Sequence, residues 1–77
     1  MLNKAIVWSQ PNCQYCNMAK SLLRQRGYEV EERIVSVTHT KEQLLEAVPN
    51  AKSVPQIFLN GILVNNGYIG LKGMFGA

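Results

Sequence analysis

Cys13 and Cys16 are the residues of this chain best suited to covalent chemistry, set in Cys13-Gln14-Tyr15-Cys16 directly after the turn-forming Ser9-Gln10-Pro11-Asn12. Beyond them Tyr15, Met18, Ala19, Leu22 and Leu23 recur at spacings of three and four, so the pair opens an amphipathic helix. Cys13 then falls where turn meets helix, beside unpaired backbone N–H groups and the positive end of the helix dipole. Such a position lowers a thiol pKa from about 8.5 by one to several units and raises the thiolate fraction at neutral pH. Cys16 lies one turn deeper, within bonding reach of Cys13, and is placed to attack a mixed disulfide formed there. The reading is a nucleophile at Cys13 and a resolving thiol at Cys16.

Plainer readings of the pair meet specific objections. A structural disulfide closing so small a loop contributes little stability. A zinc site normally needs four ligands, and beyond the pair the chain offers only His39, so no metal site is expected. Inert buried thiols leave unexplained a Pro-Asn turn that aims one of them at a helix start. His39 itself reads as a solvated loop residue without a role, and Trp8 and Phe58 read as core.

The elements that must position the pair are legible in outline. Ala5 to Trp8 is a continuous apolar run, which suits a central strand covered on both faces. Arg24 and Arg26 complement the dipole at the end of the first helix, and Gly27 suits a left-handed cap. From Tyr28 to Val37, alternation of Tyr28, Val30 and Ile34 with Glu29, Glu31 and Arg33 predicts a strand, interrupted by Glu32. Thr40 and Gln43 have capping-box spacing ahead of a short helix that Pro49 stops. Gln56 to Leu59 and Ile62 to Val64 flank Asn60-Gly61, the signature of a type I′ hairpin. A weakly encoded helix follows among Gly67, Gly70, Gly73 and Gly76. The order βαβαββα predicts an α/β fold: a four-stranded mixed sheet, parallel at its start and antiparallel at its end, flanked by helices.

Seventy-seven residues, 47% hydrophobic and 17% charged, make one globular domain spanning 1–77. No apolar run approaches the roughly 18 residues of a membrane span, and the first residues lack the pattern of a signal peptide, so an unexported, cytoplasmic protein is expected. The net charge of +3 comes from eight scattered basic residues and five glutamates. With no basic cluster, nucleic-acid binding is not expected, and mild attraction to anionic partners is. At Pro55 two readings stand: an ordinary edge-strand proline, or a cis bond in Ser53-Val54-Pro55 that leaves the Val54 backbone free to pair with an extended thiol substrate.

Taken together, Trp8-Ser9-Gln10-Pro11-Asn12-Cys13-Gln14-Tyr15-Cys16, Ser53-Val54-Pro55-Gln56-Ile57-Phe58 and Asn66-Gly67-Tyr68 resemble the glutaredoxins, dithiol members of the thioredoxin fold. The resemblance covers nearly the whole chain. It implies that the Cys13 position attacks disulfides or glutathionylated thiols, that the Cys16 position completes dithiol turnover, and that glutathione is the reducing co-substrate, with no cofactor bound permanently. It implies that Tyr15 borders the glutathione groove, that Val54, fixed by a cis Pro55, pairs with the cysteinyl backbone, and that Gly67 and Tyr68 form the Gly-aromatic turn beside it.

The pattern departs from the family at two places. Gln10 stands where many glutaredoxins carry a lysine for the glycyl carboxylate, and Ile69 and Gly70 follow Tyr68 where acidic or hydroxyl residues hold the γ-glutamyl end. Two charge-assisted contacts worth about 1.5 to 3 kcal/mol each are thereby missing. Lys41, at the start of the second helix and near a family position that often carries a basic or amide residue, is expected as a substitute carboxylate contact.

The function expected is a monomeric, glutathione-dependent reductase of protein disulfides and mixed disulfides, ribonucleotide reductase among its partners. Two alternatives stand beside it. The missing charged contacts suit a glutaredoxin-like electron donor reduced instead by thioredoxin reductase. A different class is a non-enzymatic module in which two chains share an iron/sulfur cluster through Cys13 and glutathione.

Overall fold

β1 (Lys4–Ser9) carries apolar residues on both faces because it lies inside the sheet. The computed structural model describes residues 3–76. After β1 come α1 (Gln14–Gln25), β2 (Glu29–Ile34), α2 (Lys41–Ala47), β3 (Gln56–Leu59), β4 (Ile62–Leu63) and α3 (Gly67–Met74), in the sheet order β2-β1-β3-β4. β1 runs parallel to β2, with Val7 opposite Glu32, and antiparallel to β3, with Val7 opposite Ile57. β3 and β4 pair antiparallel. The four-stranded mixed sheet is the expected one.

Alternation sorts the strand residues between two cores. Ala5, Val7, Ile57 and Leu59 pack with Ala19 and Leu23 of α1 and Leu71 of α3. On the other face Trp8 is buried with Leu44 and Val48, and Ile6, Val54 and Phe58 pack against them. The Arg33 guanidinium lies 5.2 Å from the Trp8 ring centre and the His39 ring meets it edge-on at 5.3 Å. His39 thus covers the indole, and its Nδ1 lies 2.9 Å from the Thr38 hydroxyl.

Local chemistry ends the elements where backbone groups find alternative partners. At the close of α1 the Tyr28 N–H reaches the Leu23 carbonyl at 3.0 Å and the Gly27 N–H reaches Arg24 at 3.1 Å, with Gly27 at φ +82°. This is the two-bond Schellman cap, and it takes Tyr28 out of the strand. Thr40 and Gln43 form the reciprocal capping box at the start of α2. Asn60 and Gly61 both hold positive φ, 50° and 86°, as a type I′ hairpin requires.

β2 is shorter than the alternation from Tyr28 to Val37 predicts. The Thr38 hydroxyl accepts the Ile34 N–H at 2.8 Å, while the Ile34 carbonyl accepts N–H groups from Val37, Thr38 and His39. Ser36, at φ 71°, turns the chain away from the sheet. Beyond Ile34, Val35 still donates to the Ser9 carbonyl at 2.9 Å and forms an isolated bridge with His39. β4 likewise ends at Leu63, although the buried Val64 still donates to the Ile57 carbonyl at 2.8 Å.

Glu32 breaks the apolar pattern because it faces α1. Its carboxylate accepts hydrogen bonds from the Ser9 hydroxyl at 2.8 Å and from the Lys20 ammonium. Burial alone would raise its pKa, but the bonds from Lys20 and Ser9 outweigh this and hold it below the usual carboxylate value. A depressed pKa stabilises the folded state above the ordinary value near 4.5 and loses that contribution as pH falls through the folded value. Glu32→Gln should therefore lower stability in urea at pH 7 by on the order of 1 to 2 kcal/mol, since it also strands the largely buried Lys20 charge. The gap from wild type should narrow between pH 7 and about pH 3, as the wild-type carboxylate takes up its proton and its depressed-pKa contribution is lost. An equal gap at both pH values would contradict this role for the charge.

Candidate active site

The Cys13 sulfur caps α1. Its backbone is extended, at φ −105° and ψ 104°, and its Sγ accepts the Cys16 N–H at 3.2 Å. This is the place that Ser, Thr, Asp or Asn usually fills with oxygen. Asn12, at φ 61°, turns the chain into this position. The first turn of α1 carries no acidic side chain, so nothing on it opposes negative charge on the sulfur. A donated N–H and the dipole end both favour the thiolate over the neutral thiol.

Cys16 is 1% exposed, whereas Cys13 is partly open to solvent. The structure holds the two as a disulfide, with Cα atoms 5.3 Å apart. An outside thiolate meets Cys13 first, and Cys16 is approached only through it. The asymmetry follows from the helix: position 16 faces the sheet together with Ala19 and Leu23, and position 13 stands at its mouth.

Beside the pair, the Val54–Pro55 bond is cis, which decides between the two readings of Pro55. Among the described residues neither the N–H nor the C=O of Val54 is hydrogen-bonded. Gly67 holds this loop against α3: its φ is +53°, and a Cβ there would lie 2.8 Å from the Pro55 carbonyl oxygen. Gly70 is equally constrained, because its Cβ would overlap the Asn65 carbonyl oxygen. Two of the glycines that make α3 weakly encoded are thus demanded by close backbone approach.

Two grooves meet at Ser53 and Val54. One, of about 560 Å³, is bordered by Tyr15, Pro55, Gly67, Tyr68 and Ile69, and the Tyr15 and Tyr68 rings stand 5.9 Å apart. The other, of about 490 Å³, brings Gln10 and Lys41 together with Lys52. Every residue singled out in the sequence for thiol chemistry or glutathione contact is at the cysteine pair or in one of these grooves. Lys52 is the addition. Its signal was a basic residue directly before Ser53-Val54-Pro55, but only the tertiary path places it beside Lys41.

A four-stranded mixed sheet with flanking helices, a dithiol at a helix N-terminus and a cis-proline loop define a dithiol protein of the thioredoxin-like fold. The solved structures it resembles include glutaredoxin 1 from Francisella tularensis complexed with cacodylate, with a TM-score of 0.77, 20% identity and coverage of 96% of this chain and 93% of that one. The holo form of glutaredoxin C1 from Populus tremula x tremuloides gives a TM-score of 0.75 at 24% identity, over 94% of this chain and 73% of that one. The Glutaredoxin family model matches residues 5–64, and the chain belongs to the glutaredoxin family. Among curated relatives, glutaredoxin 1 of Rickettsia felis is 35% identical over 66 residues, covering 83% of this chain. Mitochondrial glutaredoxin-2 of Rattus norvegicus is 29% identical over 65 residues, covering 80% of this chain. The chain spans 65% of the length of the Rickettsia relatives it matches and 41% of the rat protein.

Two outcomes are expected from this geometry. In the reduced protein at neutral pH, iodoacetamide should label Cys13 at least about tenfold faster than Cys16, read by peptide mass mapping; equal rates would contradict the assigned asymmetry. Gly67→Ala should cost about 1 to 3 kcal/mol in urea unfolding, through the positive φ and the Pro55 contact together. A variant as stable as wild type would show that the loop and α3 part without cost.

Proposed function

We propose that the chain is a dithiol oxidoreductase that reduces protein disulfides and mixed disulfides and is itself reduced by glutathione. The observation that carries this reading is the Cys13 sulfur at the α1 N-terminus, capped by an N–H and lying beside a groove with an unpaired Val54 backbone. In the first step the Cys13 thiolate attacks a substrate disulfide. The Sγ–S bond forms, the substrate S–S bond breaks, and the departing thiolate takes a proton. In the second, Cys16 gives up its proton and attacks Cys13. The second substrate thiol leaves, and two electrons have passed from the protein to the substrate. Two glutathione molecules then restore the dithiol, the first as a mixed disulfide on Cys13 and the second released with it as glutathione disulfide.

The groove supports the tripeptide chemistry at its centre and at one end. The Val54 N–H and C=O pair with the cysteinyl backbone, and Tyr15 borders the sulfur. Lys41 and Lys52, with Gln10, face the glycyl carboxylate, so two ammonium groups replace the lysine absent from position 10. The proposal extends to a monomer working in a reducing cytoplasm on protein disulfides, ribonucleotide reductase among them, because a cycling dithiol needs a thiol pool to return it. A second reading, reduction by thioredoxin reductase, is favoured by one feature: among the described residues no charged side chain borders the Tyr68 groove, where the γ-glutamyl end would lie.

Hydroxyethyl disulfide reduction coupled to glutathione, glutathione reductase and NADPH should proceed with wild type and fall to background with Cys13→Ser. Absence of wild-type turnover overturns the glutathione reading, and turnover restored by NADPH with thioredoxin reductase selects the second. The Lys41→Gln/Lys52→Gln double variant should raise the KM for glutathione about five- to tenfold, with the difference narrowing at high salt. An unchanged KM would remove the lysines from glutathione recognition.

A further inference from the structure

The two grooves beside Cys13 differ in chemical character. The Lys41/Lys52 side carries two ammonium groups. Among the described residues the Tyr68 side carries no side chain charged at neutral pH; Tyr15, Pro55, Tyr68 and Ile69 supply its apolar surface, beside the neutral polar Ser53, Gln56 and Asn66. Tyr15 is 58% exposed and Ile69 is 73% exposed, so apolar surface faces water in the groove that Tyr15, two residues after Cys13, borders. Ile69 lies on α3 two residues after Gly67, the glycine that docks that helix onto Pro55, so its backbone is held in place by the same contact that shapes the groove.

We propose that the Tyr68 groove takes the large apolar side chain of the residue immediately before the reacting half-cystine in a protein disulfide. The inference rests on the disulfide-exchange reading and names its substrate class: an apolar residue, then cysteine, then an acidic residue. The order follows from chain direction. Lys52 lines the basic groove, while Pro55 and Gln56 line the apolar one, with Ser53 and Val54 shared between them. A substrate pairing antiparallel to this segment through the Val54 N–H and C=O sets its preceding residue over Tyr68 and Ile69 and its following residue toward Lys41 and Lys52.

Burial of an apolar side chain against Tyr15, Tyr68 and Ile69 removes nonpolar surface from water on both partners. A charged group in the same place is desolvated with no opposite charge to meet it. The γ-glutamyl end of glutathione, bearing both an ammonium and a carboxylate, is such an occupant. This half of the site therefore favours a peptide over the tripeptide, while the basic half accepts the carboxylate of either.

The test uses the reduced Cys16→Ser chain, which retains Cys13 as its sole thiol, and peptides carried as mixed disulfides with 2-mercaptoethanol. Cys13 forms a bond to the peptide sulfur, the mixed disulfide breaks, and 2-mercaptoethanol leaves as a thiolate and is protonated. Mass spectrometry follows the adduct, and each rate is divided by that of free cysteine attacking the same peptide. Acetyl-Phe-Cys-Glu-amide should be captured about tenfold faster than acetyl-Gly-Cys-Glu-amide and than the reversed acetyl-Glu-Cys-Phe-amide. Ile69→Asp, a change at an exposed position, should shrink the Phe:Gly ratio to about twofold or less. Equal capture of the Phe and Gly peptides, preference for the reversed order, or a ratio untouched by Ile69→Asp would each overturn the inference and leave the exchange chemistry standing. Capture of every peptide no faster than by free cysteine would instead bring down the exchange reading and this inference with it.

Discussion

A sulfur in the N-cap position of α1 is the constraint around which the molecule is arranged. An N-cap atom must be polar, must reach the backbone N–H of the first turn, and must stand outside the helix where solvent can approach. Cys13 meets these conditions with its Sγ, and the favourable field there acts on the charged form of a thiol. Structural capping and chemical activation are the same interaction. Cys16, on the buried side of the same turn, is shielded by the packing that holds the helix to the sheet.

That packing places α1 with little freedom. β1 leads straight into the Gln10-Pro11-Asn12 turn, and its Ser9, buried at 1% exposure, is tied through Glu32 to Lys20 of α1. Strand, neighbouring strand and helix are cross-linked by one carboxylate just behind the cysteine pair. Directional polar contacts of this kind set the position of a helix more sharply than apolar packing alone, which tolerates sliding. On the opposite face Trp8 anchors α2 through Leu44 and Val48, and α2 delivers Lys41 to the groove from that side.

The other wall of the site is built by close backbone approach. Gly67 brings α3 against the Pro55 carbonyl, and the Tyr15 and Tyr68 rings meet at 5.9 Å along the groove. The result is a bipolar site, cationic toward Lys41 and Lys52 and apolar toward Tyr68 and Ile69, with the Val54 backbone between. Membership of the glutaredoxin family accounts for the shared frame. Its Tyr68 end, bordered by no charged side chain among the described residues, is the part of that frame on which the proposed preference for a protein substrate rests.

Much of this was legible in one dimension. The Cys-Gln-Tyr-Cys spacing after a proline turn, the doubly apolar β1, the Thr40–Gln43 box and the Asn60-Gly61 hairpin are encoded by contacts within a few residues, which composition and spacing report directly. Four features needed the folded chain. β2 stops at Ile34 because the Thr38 hydroxyl competes for its N–H, a side-chain capture that alternation does not register. Glu32 belongs inside because Lys20 arrives from another element to neutralise it. Lys52 joins Lys41, and Gly67 meets Pro55, only after the sheet has set α2 and α3 on opposite faces. Sequence by itself determined which residues carry the chemistry and which elements hold them, since these rest on local geometry. Tertiary structure decided what surrounds the sulfur, because charge pairing and groove shape depend on distances between segments remote along the chain.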